Sequence, residues 1–330
     1  MNNVFVLGGT GFLGYFTVKE LIKRGYEVST ISRHEMPTEN LLPSEVKHRV
    51  GNIHEMSDED IRGMLEGVDG FIYAAGVDER TLPEAPAMKF FYEANVLPTQ
   101  RIARLATQAG VKKFVILGSY FAHFAEAWTD IPLKENAYPR SRLLQEEVAY
   151  MEGIGKMDVM SIRLPYIFGV MPGRMPLWTR FIERVRDQAS VPVLGGGTAM
   201  VTAQQVAEAA VGAMEHGEHG GKYAICGLNM KHSEFYEMVA DALGQKDTTV
   251  KVVPLEQMQP AMEIMDRQKA KAGKEQGVHM SMMAEILHRD AYLSPADTMS
   301  ILKYKEDDVR ASIKETLHRC IQSLDKQSYN

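Results

Sequence analysis

Three side chains in this chain have the types and the spacing for proton transfer. Tyr138 and Arg142 stand four residues apart in Tyr138-Pro139-Arg140-Ser141-Arg142, at the start of a helical stretch that also holds Glu146. Ser119 closes an apolar run nineteen residues earlier. Residues four apart share one helix face, so the phenol and the guanidinium can address the same group. A cation beside a phenol favours the phenolate and lowers its pKa toward the working pH. Tyr138 could then give or take a proton at a reacting oxygen, and a serine hydroxyl opposite would hold that oxygen. His123, near Ser119, could also hydrogen-bond a substrate, although the sequence offers it no partner.

A second constellation speaks of phosphate. Val4-Phe5-Val6-Leu7 runs into Gly8-Gly9-Thr10-Gly11-Phe12-Leu13-Gly14, and an amphipathic stretch continues to Arg24. Strand, glycine loop and helix form the first part of a dinucleotide-binding unit. One glycine permits the turn, another lets the backbone approach a pyrophosphate, and Gly14 allows close packing of helix on sheet. The helix start then offers free N–H groups and a positive dipole end. Gly9-x-Gly11-x-x-Gly14 and Gly8-x-x-Gly11-x-x-Gly14 are both present, so the loop alone does not choose between the two common fingerprints. The next strand ends Thr30-Ile31-Ser32-Arg33-His34. NAD-selective sites place an acid there for the ribose 2′-hydroxyl. A hydroxyl and a guanidinium suit a 2′-phosphate instead, so NADP is the expected cofactor, with NAD as the other possibility.

The elements that must position these groups alternate through the first half. Strands are expected at Glu27–Ser32, Val46–Gly51, Gly70–Ala75, Val111–Gly118 and Val159–Leu164. Helices are expected at Asp58–Glu66, Ala85–Ala109 and Pro139–Gly153. Such alternation makes an α/β fold, a doubly wound parallel sheet with ligands at the carboxyl ends of its strands. After about residue 165 the pattern loosens around Pro172, Gly173, Pro176 and Gly195-Gly196-Gly197. Helices at Ser233–Leu243 and Asp307–Ile321 follow. The expected division is a cofactor-binding domain over 1–165, with a return segment near 191–215, and a smaller substrate lobe over 166–330.

Composition narrows the partners. The chain has 330 residues, a formal net charge of −6 and no basic block, which gives no electrostatic basis for nucleic-acid binding. No run of eighteen apolar residues spans a membrane. The chain starts almost directly on a strand, leaving no room for a signal peptide, and a cytoplasmic setting is expected. Cys226 and Cys320 lie in unrelated contexts and suggest neither a disulfide framework nor a metal site. Of 21 methionines, Met258, Met262, Met265, Met280, Met282 and Met283 crowd the C-terminal half, with Met171 and Met175 earlier. They could line an apolar pocket under a mobile lid, or fill the core.

Taken together these residues resemble the extended short-chain dehydrogenase/reductases, also called the NAD-dependent epimerase/dehydratase family. The likeness runs through the glycine loop, Gly51-Asn52, Ala74-Ala75-Gly76, Asn95 with Thr99, Phe114 to Ser119, Tyr138 to Arg142, and Arg163-Leu164-Pro165-Tyr166-Ile167-Phe168-Gly169. Leu243-Gly244 and Tyr304 to Val309 extend it toward the C-terminus. The resemblance implies catalysis by Ser119, Tyr138 and Arg142. It implies cofactor contacts from Gly8, Thr10, Gly11, Phe12, Leu13, Gly14, Ser32, Arg33, Asn52, Ile53, Ala74, Ala75, Gly76, Asn95 and Pro165, as well as from Tyr138 and Arg142. It also implies a homodimer built on the two long helices, with Phe90, Phe91, Leu97, Leu143 and Leu144 as apolar surface.

Three positions depart from the family pattern. Arg142 stands where the family has lysine. Tyr166 stands where the sugar-nucleotide epimerases carry asparagine. Gly197 to Thr202 lacks the arginine those epimerases use on a diphosphate. The expected activity is therefore NADP-dependent carbonyl reduction or alcohol oxidation on a small, largely apolar molecule. A nucleotide-sugar epimerase or dehydratase holding NAD is the first alternative, and a non-catalytic NADP sensor the second.

Overall fold

The computed structural model describes residues 2–36 and 38–328. Among them β1 (Asn3–Leu7), β2 (Glu27–Ser32), β3 (Lys47–Val50), β4 (Gly70–Tyr73), β5 (Lys113–Leu117) and β6 (Asp158–Arg163) are six strands of one parallel sheet. The intervening helices are α1 (Phe12–Lys23), α2 (Asp58–Met64), α3 (Ala87–Phe91), α4 (Leu97–Ala109), α5 (Tyr120–Ala127) and α6 (Ala137–Gly153). The chain then builds β7 (Tyr166–Phe168), α7 (Thr179–Val185), β8 (Ser190–Leu194) and β9 (Gly197–Thr202). It comes back with α8 (Ala203–His216) and β10 (Gly221–Ala224). The strand order of the main sheet is β10-β6-β5-β4-β1-β2-β3.

β1 explains why the sheet lies inside. Every residue from Val4 to Leu7 is buried, as a strand covered on both faces requires. Side chains alternate across a strand. Val4 and Val6 therefore enter a cluster with Val18, Leu21 and Ala210, under α1 and α8. Phe5 and Leu7 enter another with Phe114, Ile102 and Leu105, under α4. At the α1–α8 contact Glu20, nearly buried, accepts from Arg24, Lys23 and Gln204.

The region outside the main sheet continues with β11 (Leu228–Lys231), α9 (His232–Ala242), β12 (Thr249–Val253), α10 (Leu255–Lys271) and α11 (Met280–His288). It ends with β13 (Asp290–Ala291), α12 (Pro295–Leu302) and α13 (Val309–Ser328). β9 is its centre, paired with β7, β11 and β13, and β8 pairs with β12. The chain comes back to the main sheet with α8 and β10. β8 and β9 fall earlier and pair outside the main sheet, β8 with β12 and β9 with β7, β11 and β13.

Two further elements differ from expectation. The long helix over 85–109 begins at Ala87, with Pro86 as its N-cap in extended conformation, and it is interrupted by a π turn at Tyr92–Val96. The helix carrying Tyr138 begins at Ala137, so Tyr138 lies in its first turn.

Candidate active site

A cleft of about 1030 Å³ opens at the carboxyl ends of β1, β2, β4, β5 and β6. The glycine loop forms one wall. Gly8 has φ +88°, a conformation glycine adopts without steric cost. Its N–H donates to Ile31 O at 3.0 Å, while Gly11 N–H donates back to Gly8 O at 2.9 Å. Gly9 N–H donates to Thr30 Oγ1 at 2.9 Å. A Cβ on Gly14 would run into the carbonyl of Gly8, so only glycine lets α1 start this close to the loop. No side chain caps α1 at Gly11. The helix start lines the cleft with Thr10, Gly11, Phe12 and Leu13.

Further along the wall stand Ser32, Arg33, Asn52, Ile53, Ala74, Ala75 and Gly76. Ser32 Oγ lies 3.1 Å from His48 Nε2, and Arg33 is exposed. Asn52 is held by its own turn, donating to Glu55 and accepting from His54 N–H. Two of the expected cofactor residues lie behind the wall. Gly14 is the packing contact just described. Asn95, fully buried in the π turn, accepts from Val77 N–H at 2.8 Å and donates to Val77 O at 3.0 Å. It clamps the chain after β4 instead of lining the cavity.

Ser119, Tyr138 and Arg142 all reach this cleft, with 6%, 4% and 5% exposure. Ser119 ends the β5 connection as the N-cap of α5, accepting from Phe121 N–H. The guanidinium of Arg142 lies 5.8 Å from the Tyr138 ring centroid, and its Nη2 donates to Leu117 O at 2.6 Å. Its Nε is buried without a partner. A buried donor left open costs stability unless a ligand meets it.

The Tyr138 phenol is not tuned as the sequence suggested. Burial pushes its pKa above the ordinary 10, and Arg142 and Ser119 only partly pull it back. Two acids raise it further, Glu79 and then Asp78. Sequence reading passed over Glu79, a half-buried carboxylate in Asp78-Glu79-Arg80. Burial raises its own pKa, as does Asp78, while Arg80 and Arg180 oppose this. A charged triplet just past the end of a central strand was the available signal. Tyr120, Tyr166, Trp178 and Arg180 complete the far wall, and α5, which supplies Tyr120, was not expected.

Among the described methionines only Met171 and Met175 line the cleft. Met282 and Met283 pack in the apolar cluster around Tyr138, and α10, carrying Met258, Met262 and Met265, buries none of its residues. His123 lies outside the cleft, its pKa lowered by burial and by Arg163. Cys226 and Cys320 are separate buried thiols. Among the described residues no His, Cys, Asp or Glu group is arranged to hold a metal, and no helix is long and apolar enough to cross a membrane.

The residues present fit a bound dinucleotide: an uncapped helix start against a glycine loop, and an open buried guanidinium nitrogen across the cleft. A Rossmann-type parallel sheet with a glycine loop after its first strand is a dinucleotide-binding fold. The chain belongs to the NAD-dependent epimerase/dehydratase family, whose model matches residues 4–226. It is 25% identical over 183 residues to a decarboxylating sterol-4-alpha-carboxylate 3-dehydrogenase of Dictyostelium discoideum, a match covering 51% of this chain and 54% of that protein. Sterol demethylase protein B of Methylococcus capsulatus is 25% identical over 260 residues, 76% of this chain and 77% of its own. The crystal structure of gox2253 superposes with a TM-score of 0.77 at 20% identity, covering 98% of this chain and 99% of that one.

Proposed function

We propose that this protein is an NADP-dependent oxidoreductase that interconverts a carbonyl and an alcohol on a small, largely apolar molecule. The observation that carries this reading is the convergence of Ser119, Tyr138 and Arg142 on one cleft that also holds the glycine loop and Arg33. Residues 1–165 with the returning segment would bind the cofactor, and the lobe from 166 would close over the substrate. A bound nicotinamide supplies or accepts the hydride. Tyr138 gives its phenolic proton to the carbonyl oxygen, or takes one from the alcohol, and Ser119 holds that oxygen. Arg142 steadies the phenolate by charge and offers Nε to the ribose. Because guanidinium keeps its proton at any working pH, Arg142 cannot pass protons as a lysine could.

Several features favour an apolar substrate over a nucleotide sugar. Tyr166, Trp178, Met175 and Leu177 line the far wall beside Arg180, and β9 is buried throughout and carries no cation for a diphosphate. Two of the sequence relatives are named for sterols, which are apolar bodies bearing hydroxyl groups. The decisive experiment is titration of NADPH and NADH followed by turnover with a panel of cyclic ketones and alcohols. Tighter binding of NADPH and Tyr138-dependent turnover are expected. NADH binding as tight or tighter refutes the NADP assignment, and a purified protein that carries tightly held NAD and epimerises sugar nucleotides refutes the reading as a whole.

A further inference from the structure

The helix carrying Tyr138 is not capped from its own neighbourhood. Asn136 occupies the N-cap of α6, yet its side chain makes no bond to the first turn. Its Oδ1 instead accepts from His279 N–H at 3.0 Å, and its Nδ2 donates to Pro132 O. The N–H of Tyr138 donates to Gly277 O at 2.7 Å. The start of α3 is treated alike. Pro86 offers no side-chain acceptor, and Ala87 N–H donates to the Glu275 carboxylate at 2.7 Å. One five-residue strap from the C-terminal lobe, Glu275 to His279, therefore caps both helices. Both bear on the phenol, since Phe91 of α3 packs edge-on against the Tyr138 ring at 5.6 Å.

The strap lies as close as backbone can. Gly277 is buried, and a Cβ there would come within 2.7 Å of Phe91 Cζ and 2.8 Å of Tyr138 Cβ. Beside it Val278, 2% exposed, enters the apolar cluster of Phe91, Phe121, Leu133 and Tyr138. Any side chain at 277 must push the Tyr138 backbone, the Phe91 ring or the strap itself.

We propose that this strap fixes the location of the Tyr138 phenol against Ser119 and Arg142, with Gly277 as the positioning residue. The proposal rests on the reading of Tyr138 as the proton-transfer group. Charge stabilisation weakens with separation, and proton transfer tolerates little misalignment, so a small displacement of the helix start is felt at the hydroxyl.

The test uses the full chain labelled with 13C at the tyrosine ζ carbon, the Tyr138 resonance being identified by its loss in Tyr138→Phe. In Gly277→Ala this resonance is expected to move while those of Tyr26 and Tyr304 stay in place. The kcat for NADPH-dependent reduction of 9,10-phenanthrenequinone should fall about tenfold, with the KM for NADPH unchanged. Asn136→Ala removes one strap bond without adding atoms, so it covers the case in which Gly277→Ala fails to fold, and it should move the same resonance. An unmoved Tyr138 signal in the folded variants overturns the proposal, as does a moved signal with wild-type kcat. Normal turnover by Tyr138→Phe would sink the proton-transfer reading itself, a separate outcome.

Discussion

A phenol sealed in an apolar pocket is a reluctant acid, and the Tyr138 environment has to be weighed with that in mind. Burial and two neighbouring acids outweigh one guanidinium and one serine. Tyr138→Phe keeps the ring contacts with Phe91 and Phe121 and removes only the ionisable group. Turnover should drop by about a hundredfold or more, with NADPH affinity unchanged by fluorescence titration. Arg142→Lys keeps a cation and should keep measurable turnover, whereas Arg142→Met should weaken both turnover and cofactor binding. Glu79→Gln deletes a negative charge that raises the Tyr138 pKa. The Tyr138-dependent limb of the pH–rate profile should therefore move to lower pH, and an unmoved limb would show that Glu79 does not act on the phenol. The helix period made Tyr138 and Arg142 legible in the sequence, and a strand end made Ser119 so. Glu79 lies in an irregular loop, where no period announces which way a side chain points.

At the scale of elements, strands with one continuous apolar run were easy to see, as Val4–Leu7 and Phe114–Leu117 illustrate. Helix α5 was harder, since Tyr120–Ala127 is apolar nearly all round and so lacks the polar face that marks a surface helix. The caps of α3 and α6 were invisible because their partners lie far along the sequence. Helix α9 carries a testable consequence of the same kind. Burial pulls the pKa of His232, its first residue, from 6.5 down to about 4, with Lys231 and Arg184 assisting and Asp290 opposing. The folded state thus refuses a proton that the unfolded chain accepts. This contribution is fully present above pH 6.5 and is lost as the pH falls toward 4, on the order of 3 kcal/mol over that window. His232→Gln should flatten the acid side of the stability profile in urea titrations. An unchanged slope would mean the ring is already solvated.

For the molecule as a whole, the sheet order follows from alternation and right-handed crossovers, and so was within reach of the sequence. Self-association was read there only by likeness, and the structure narrows which residues could serve. Phe91 is fully buried against Tyr138 and cannot contribute to a surface, whereas Leu97 is 44% exposed. A dimer through α4 and α6 is expected in light scattering at micromolar concentration, and Leu97→Glu should shift it toward monomer. A monomeric mass for the unaltered chain would refute the pairing.

The strand that completes the main sheet, β10, arrives only after the chain has laid down β7, β8 and β9 elsewhere, and α8 covers α1 on the same return. Neither half is thus a portable module. A gene fragment ending at residue 165 would lack both the cover over Val18 and Leu21 and the partner of β6, leaving a raw apolar face and an open edge that invite aggregation. Recombination that exchanged the substrate half at that junction would carry off part of the cofactor half with it. Variation in specificity is left to replacement within loops, not to shuffling of domains. Calorimetry of the intact chain should accordingly register one melting transition, and two well-separated ones would show that the halves hold together independently.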